Sequence, residues 1–182
     1  MSTPHADVLK ELETLQRRVD EIRGMLRTEV LRDEIPDGTF HVLTCRTDRE
    51  TVGILLRDIE EVLPMCSVSP VPDAPSWFTG VLNLGGEMVP VLDLNGRIAG
   101  VPHQPDAGDS IVICMSKGKR LGLVVSEVVG VHQMNRGDVQ EVSERLVSSP
   151  YLLGISDLDG SPMLMLSVAR LVSISEIPEG VL

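Results

Sequence analysis

The sequence predicts a mainly β molecule, built as two duplicated small barrels and preceded by one amphipathic helix. Three observations carry that prediction. The chain repeats itself: Gly53–Val62 (GILLRDIEEV) matches Gly122–Val131 (GLVVSEVVGV), and Gly80–Leu94 (GVLNLGGEMVPVLDL) matches Gly154–Val168 (GISDLDGSPMLMLSV). From Thr39 onward, short Val/Ile/Leu-rich runs are divided by Gly, Pro, Asp and Asn, the punctuation of small barrels or sandwiches. Before that point the apolar residues follow a helical period instead. Two copies are too few for a solenoid and suit two β subdomains joined face to face, with a groove between them.

The first element is a helix, assigned with its boundary turn to residues 1–36. Val8, Leu12, Leu15, Val19, Ile22 and Leu26 are alternately four and three apart, the a/d seam of a coiled coil. Thr3 suits the cap, Pro4 the first helical position, and Glu13 and Arg17 form an i, i+4 pair. Ile35-Pro36-Asp37-Gly38 ends it, because the residue before proline is pushed out of the helical region. Gly24 costs about 1 kcal/mol in a helix interior, so the helix needs a partner surface. That surface is either its own β body or a second helix, and the strict spacing favours pairing.

Residues 37–182 form the β body. Strands are predicted at Phe40–Arg46, Thr51–Leu56, Gly80–Asn83, Glu87–Leu94, Ser110–Met115, Arg120–Val125, Tyr151–Asp157 and Pro162–Ser167. Hairpin turns fall at Asp48-Arg49-Glu50, Leu84-Gly85-Gly86, Lys117-Gly118-Lys119 and Asp159-Gly160-Ser161. Pro64–Pro75 and Gly100–Pro105 are irregular connections, and short helical turns suit Arg57–Leu63, Arg136–Val142 and Val168–Ile174. Each barrel is expected to form near one matched repeat.

Composition excludes several functions. A net charge of −11 and 2% aromatics oppose binding to phosphate backbones and anionic lipid. Cys45, Cys66 and Cys114 are odd in number and lack a C-x-x-C spacing, so buried reduced thiols are expected rather than disulfides or zinc. The start of the chain lacks the basic and apolar regions of a signal peptide, and no apolar run approaches about 20 residues. A cytoplasmic location follows as the expectation.

Catalytic constellations are absent from the pattern. His41 and Cys45 share a strand face in an i, i+4 arrangement but would stand about 13 Å apart. Glu87 and Asp93 would be about 20 Å apart, too far for paired carboxylates, and turn capping is the commoner fate of Asp93 and of its repeat partner Ser167. His5, His103 and His132 stand alone, and no P-loop or Gly-x-Ser-x-Gly elbow occurs. No enzyme, metal or cofactor is expected.

The stretch Ala74–Leu94 (APSWFTGVLNLGGEMVPVLDL) resembles the CheW family of chemotaxis coupling proteins. It holds an apolar pair, Gly-Val, x-Asn-Leu-x-Gly, then an apolar run with Pro ending in Asp-Leu. The resemblance spans residues 39 to about 176, with Tyr151-Leu152-x-Gly154 as a second landmark. It implies two SH3-like five-stranded barrels about a pseudo-twofold and a non-catalytic adaptor with no cofactor. Such an adaptor joins the cytoplasmic tip of a methyl-accepting chemoreceptor to a CheA-type histidine kinase. The implied receptor-binding positions are Ile59, Val62, Asn83, Leu84, Gly85, Val128 and Val131, with the apolar four facing one another across the twofold and taking a partner helix. The implied kinase-facing positions are Glu61, Val62, Met65, Val68 and Gly80. Gly85 departs from the family, most of whose members carry Arg there. Arg136–Pro150 also lacks the exposed aromatic of members that build rings. The alternative reading is a CheW-like regulator of a specialised pathway, such as surface motility, that captures its partner through the N-terminal helix.

Overall fold

The computed structural model describes residues 34–140, 142 and 149–173. The chain divides into two units, Met1–Pro36 and Asp37–Leu182. The seam Val8, Leu12, Leu15, Val19, Ile22 and Leu26 lies outside the described residues, so the expected helix is not described.

The second unit contains β1 (Thr39–Arg46), β2 (Thr51–Leu55), β3 (Ile59–Pro64), β4 (Phe78–Leu84), β5 (Glu87–Asp93), β6 (Ser110–Ser116), β7 (Lys119–Val125), β8 (Glu127–Asn135), β9 (Val139–Gln140), β10 (Leu152–Leu158) and β11 (Ser161–Leu166). A short helix α1 (Leu94–Ala99) follows β5, and α2 (Val168–Ser173) follows β11. The expected strands are present within a residue or two of their expected ends. The helical turn expected at 57–63 is a single 3-10 turn at Leu56–Asp58 that runs into β3, and the one expected at 136–142 is a 3-10 turn at Arg136–Asp138 followed by β9. β8 and α1 answer to no expected element.

The strands form two sheets, ordered β8-β1-β2-β11-β10-β9 and β3-β6-β7-β5-β4. Exchanging each strand for its repeat equivalent converts the first five of one order into the other, which is the signature of a pseudo-twofold. The expectation of one barrel near each repeat is corrected on two counts. Each sheet draws strands from both copies, joined by the parallel pairs β2–β11 and β5–β7. A parallel pair needs a long crossover, so no single hairpin could supply it within one copy. Nor do the ladders close into barrels. The chain beyond β3 returns to the far edge only through a Ser69–Val81 bridge, and the chain beyond β8 returns only through the two residues of β9 on β10.

The core follows from these pairings. Leu43, Ile54 and Leu166 form one cross-strand row and Val112, Leu123 and Leu92 the equivalent row in the other sheet. All six are buried in one cluster shared by the two sheets. Because side chains alternate across a strand, the neighbouring residues Val91, Ile111, Ile113 and Val124 build a second cluster on the opposite face of the five-stranded sheet. Between the copies, the Arg97 guanidinium stacks 4.0 Å from the Trp77 ring centroid and 4.7 Å from that of Tyr151, its repeat equivalent. Ser167 caps α2, its Oγ accepting the Arg170 N–H at 3.2 Å; Asp93, the equivalent residue before α1, makes no such cap and accepts the His103 N–H at 2.6 Å instead.

Candidate functional site

β3 and β8 are repeat equivalents, and each is an edge strand of its sheet. Each also carries a register shift. Ile59 faces Cys114 while Glu61 faces the next residue Ile113, leaving Glu60 extra. Similarly Cys45 faces Val128 while Thr44 faces Gly130, leaving Val129 extra. A bulge of this kind turns the strand and re-aims the side chains beyond it. Ile59 and Val62, like Val128 and Val131, are three residues apart, so the alternation that runs along both strands separates the four apolar positions into two pairs. Ile59 and Val128 are half-buried and pack against the shared core of the two sheets. Val62 and Val131 lie open, with 42% and 52% of their surfaces exposed.

Asn83, Leu84 and Gly85 lie at the β4–β5 hairpin. The Asn83 side-chain oxygen accepts the Gly86 N–H at 2.9 Å, as Asp157 accepts that of Gly160 at 2.8 Å in the equivalent turn. Leu84 packs half-buried against the second cluster, and Gly85 sits at φ +62° with open space around it. Arg120, at the start of β7, ties this turn to β3. Its Nε donates to Glu60 Oε2 at 2.7 Å, and a terminal nitrogen donates to Glu87. The Glu60 hydrogen bond holds the Arg120 guanidinium above its ordinary pKa, and the same contact holds Glu60 below its own. Sequence reasoning missed Arg120, whose signal was a basic residue beside the Lys117-Gly118 turn.

Met65, Val68 and Gly80 are brought together where the chain leaving β3 reaches β4, with Glu61 half-buried just before them. Met65 and Val68 pack against the second cluster, and Met65 donates its N–H to the Asp109 carbonyl at 3.0 Å. Gly80 is buried at φ +144°, and a Cβ there would stand 2.2 Å from the Ser69 carbonyl oxygen. Its hydrogen atom is what allows Ser69 and Val81 to exchange N–H···O bonds of 2.8 and 2.9 Å.

His41 and Cys45, expected on one strand face, do not share one. His41 is exposed while Cys45 is buried, and burial pushes the Cys45 thiol up to about 12. Cys114 is also buried and pushed up by desolvation, whereas Cys66 is exposed, contrary to the expectation that all three thiols are covered. His103 and His132 are not isolated. His132 Nδ1 lies 2.9 Å from Thr44 Oγ1, and His103 lies between two carboxylates. Among the described residues no group of three or more His, Cys, Asp or Glu could hold a metal. No helix among them is long and apolar enough to cross a membrane.

Comparison with known proteins gives consistent matches. The family model for the CheW-like domain matches residues 41–176. Chemotaxis protein CheW of Thermotoga maritima is 27% identical over 144 residues, covering 78% of this chain and 93% of that protein. Chemotaxis protein CheW of Treponema pallidum is 24% identical over 149 residues, covering 79% and 88%. The crystal structure of the scaffolding protein TtCheW from Thermoanaerobacter tengcongensis superposes with a TM-score of 0.69 at 20% identity, covering 80% of this chain and 94% of that one.

Proposed function

Because the chain belongs to the CheW-like family, we propose that it is a non-catalytic chemotaxis adaptor of the cytoplasm. It links a chemoreceptor's cytoplasmic tip to a CheA-type histidine kinase, and its two sheets are the SH3-like halves of the family fold. The observation that carries the site assignment is the symmetric exposure of Val62 and Val131 on equivalent edge strands. Exposed valines at matched positions offer a helical receptor tip an apolar seat that is not needed to complete the core. The Asn83-Leu84-Gly85 turn, tied to β3 through Arg120, extends that seat. Ile59 and Val128 form its floor. The kinase is assigned to the surface around Glu61, Met65 and Val68, where Gly80 acts through the backbone. The alternative, capture of a partner by an N-terminal helix, is not favoured, since the family match begins at residue 41 and leaves out the segment expected to form one.

The test is Val62→Asp and Val131→Asp in the full chain, with calorimetry against a soluble receptor tip and against the kinase's regulatory domain. Both side chains are exposed, so stability should change by no more than about 0.5 kcal/mol. Receptor affinity should fall by about 2 kcal/mol or more, since a carboxylate would be desolvated against an apolar helix. Undiminished receptor binding by both folded variants would sink the site assignment. Ile59→Asp is the contrasting control and should unfold the body, because Ile59 packs on the shared core.

A further inference from the structure

His103 lies on the connection between α1 and β6, the segment joining the two copies. Its Nδ1 is 2.7 Å from Asp48 Oδ2, in the β1–β2 turn, and its Nε2 is 2.8 Å from Asp109 Oδ2, just before β6. The ring therefore connects one sheet's hairpin to the first residue leading into the other sheet. Each aspartate is in turn bonded to a residue flanking one of the two strands of the proposed receptor seat, Asp48 through its carboxylate and Asp109 through its backbone carbonyl. Asp48 Oδ1 accepts the Ser126 hydroxyl at 3.0 Å, immediately before β8, and the Asp109 carbonyl accepts the Met65 N–H, immediately after β3. We propose that His103 is a proton-operated clasp that holds β3 and β8 in their relative position. Its consequence for receptor binding rests on the adaptor reading given above.

The chemistry follows from counting donors. Carboxylates only accept, so satisfying both requires an imidazolium with two N–H groups. A neutral ring keeps one N–H and turns a lone pair toward the other carboxylate, and that contact must open. Asp109 has little freedom, being 6% exposed and also accepting the Asp106 N–H at 2.7 Å. Asp48 is 44% exposed on its side chain and can turn into water, so the Asp48 contact is the one released, together with its Ser126 bond. The charged groups around the ring are Asp48 and Arg49 from the turn, Asp93 from the end of β5, and Asp106 and Asp109 from the connection. Carboxylates outnumber the single cation.

Burial of the ring favours its neutral form, but the hydrogen bonds to Asp109 and Asp48 outweigh burial and hold its pKa above the ordinary value. The His103 hydrogen bond likewise holds Asp48 below its own ordinary value. The ring's contribution to stability is thus complete below the unfolded histidine pKa of about 6.5 and is lost as pH rises through the higher folded value. That of Asp48 is complete above the unfolded aspartate pKa of about 3.9 and is lost as pH falls through the lower folded one. The clasp is tightest between these limits.

The experiment is NMR of the full chain across pH, following the His103 ring, the Ser126 and Met65 amides and the Val62 and Val131 methyl groups. The expected result is a ring midpoint above about 6.5, with Ser126, Met65 and both valines shifting at that same midpoint. His103→Gln should erase that shared transition while keeping the spectrum dispersed. Any response of Val131 to its neighbour His132 should survive the substitution and identify itself. Asp48→Asn, a second and milder variant, should lower the ring midpoint. A midpoint at or below the ordinary value, or strand signals that do not follow the ring, would overturn the proposal. No receptor is present, so failure of a receptor tip to bind is a separate result that bears only on the adaptor reading.

Discussion

Two glycines of the same hairpin region show how differently single residues can be constrained. Gly85 sits in the left-handed region with open space around it, and Lys117 occupies the first position of the β6–β7 turn at φ +52°. Gly85→Arg, which restores the residue most family members carry, should therefore fold and lose only about 1 kcal/mol in a denaturant titration. Calorimetry against the receptor tip then shows whether the restored arginine adds affinity. Gly80→Ala meets a backbone carbonyl rather than water and should cost well over about 2 kcal/mol, with a spectrum indicating an opened edge. Equal losses for the two substitutions would contradict this account. The turn residue was legible in the sequence because Asn-Leu-Gly-Gly states its own local chemistry. The burial of Gly80 was not legible, because the atom that confines it belongs to Ser69, remote in the pattern and in a proline-rich connection.

At the level of elements, the hairpins were readable and the two edge strands proposed to bear the site were not. β3 contains Glu60 and Glu61, and β8 contains Gly130. Burial alternates along both strands, but exposed positions carry Val62, Val129 and Val131 while covered ones carry Glu61, Gly130 and His132, so the residue types do not alternate. The repeat nonetheless paired Ile59 with Val128 and Val62 with Val131 before their secondary structure was recognised. The strand after β3 gives an element-scale prediction. β4 is an edge strand in its sheet, yet the Val81 N–H donates to Ser69 and should exchange slowly with deuterium, in step with Ser69. Rapid exchange at Val81, comparable with a frayed edge, would mean that the bridge does not hold the connection carrying Met65 and Val68 in place. Bridging by one residue pair also blunts an edge that would otherwise invite pairing with another chain.

For the whole molecule, duplication was visible in the sequence, but the exchange of strands between copies was not. Hairpin signals are local, whereas the parallel pairs β2–β11 and β5–β7 join residues from different copies and leave no local mark. This predicts that residues 37–105 and 106–182, each one copy, are unfolded when made separately and recover β structure on mixing, measured by circular dichroism. Independent folding of either copy would overturn the interleaved account. The same interleaving has a mechanical side. Leu43, Ile54 and Leu166 share a row in which β1 and β11 flank β2, and β1 runs antiparallel to β2 while β11 runs parallel to it. The chain thus enters β1 and leaves β11 at one end of one sheet, while β3 to β7 form an uninterrupted excursion out to the other. Tension between the two ends of the body would peel the first sheet one ladder bond at a time and leave the excursion slack. A pull along the chain would loosen β8 with β1 well before it strained β3.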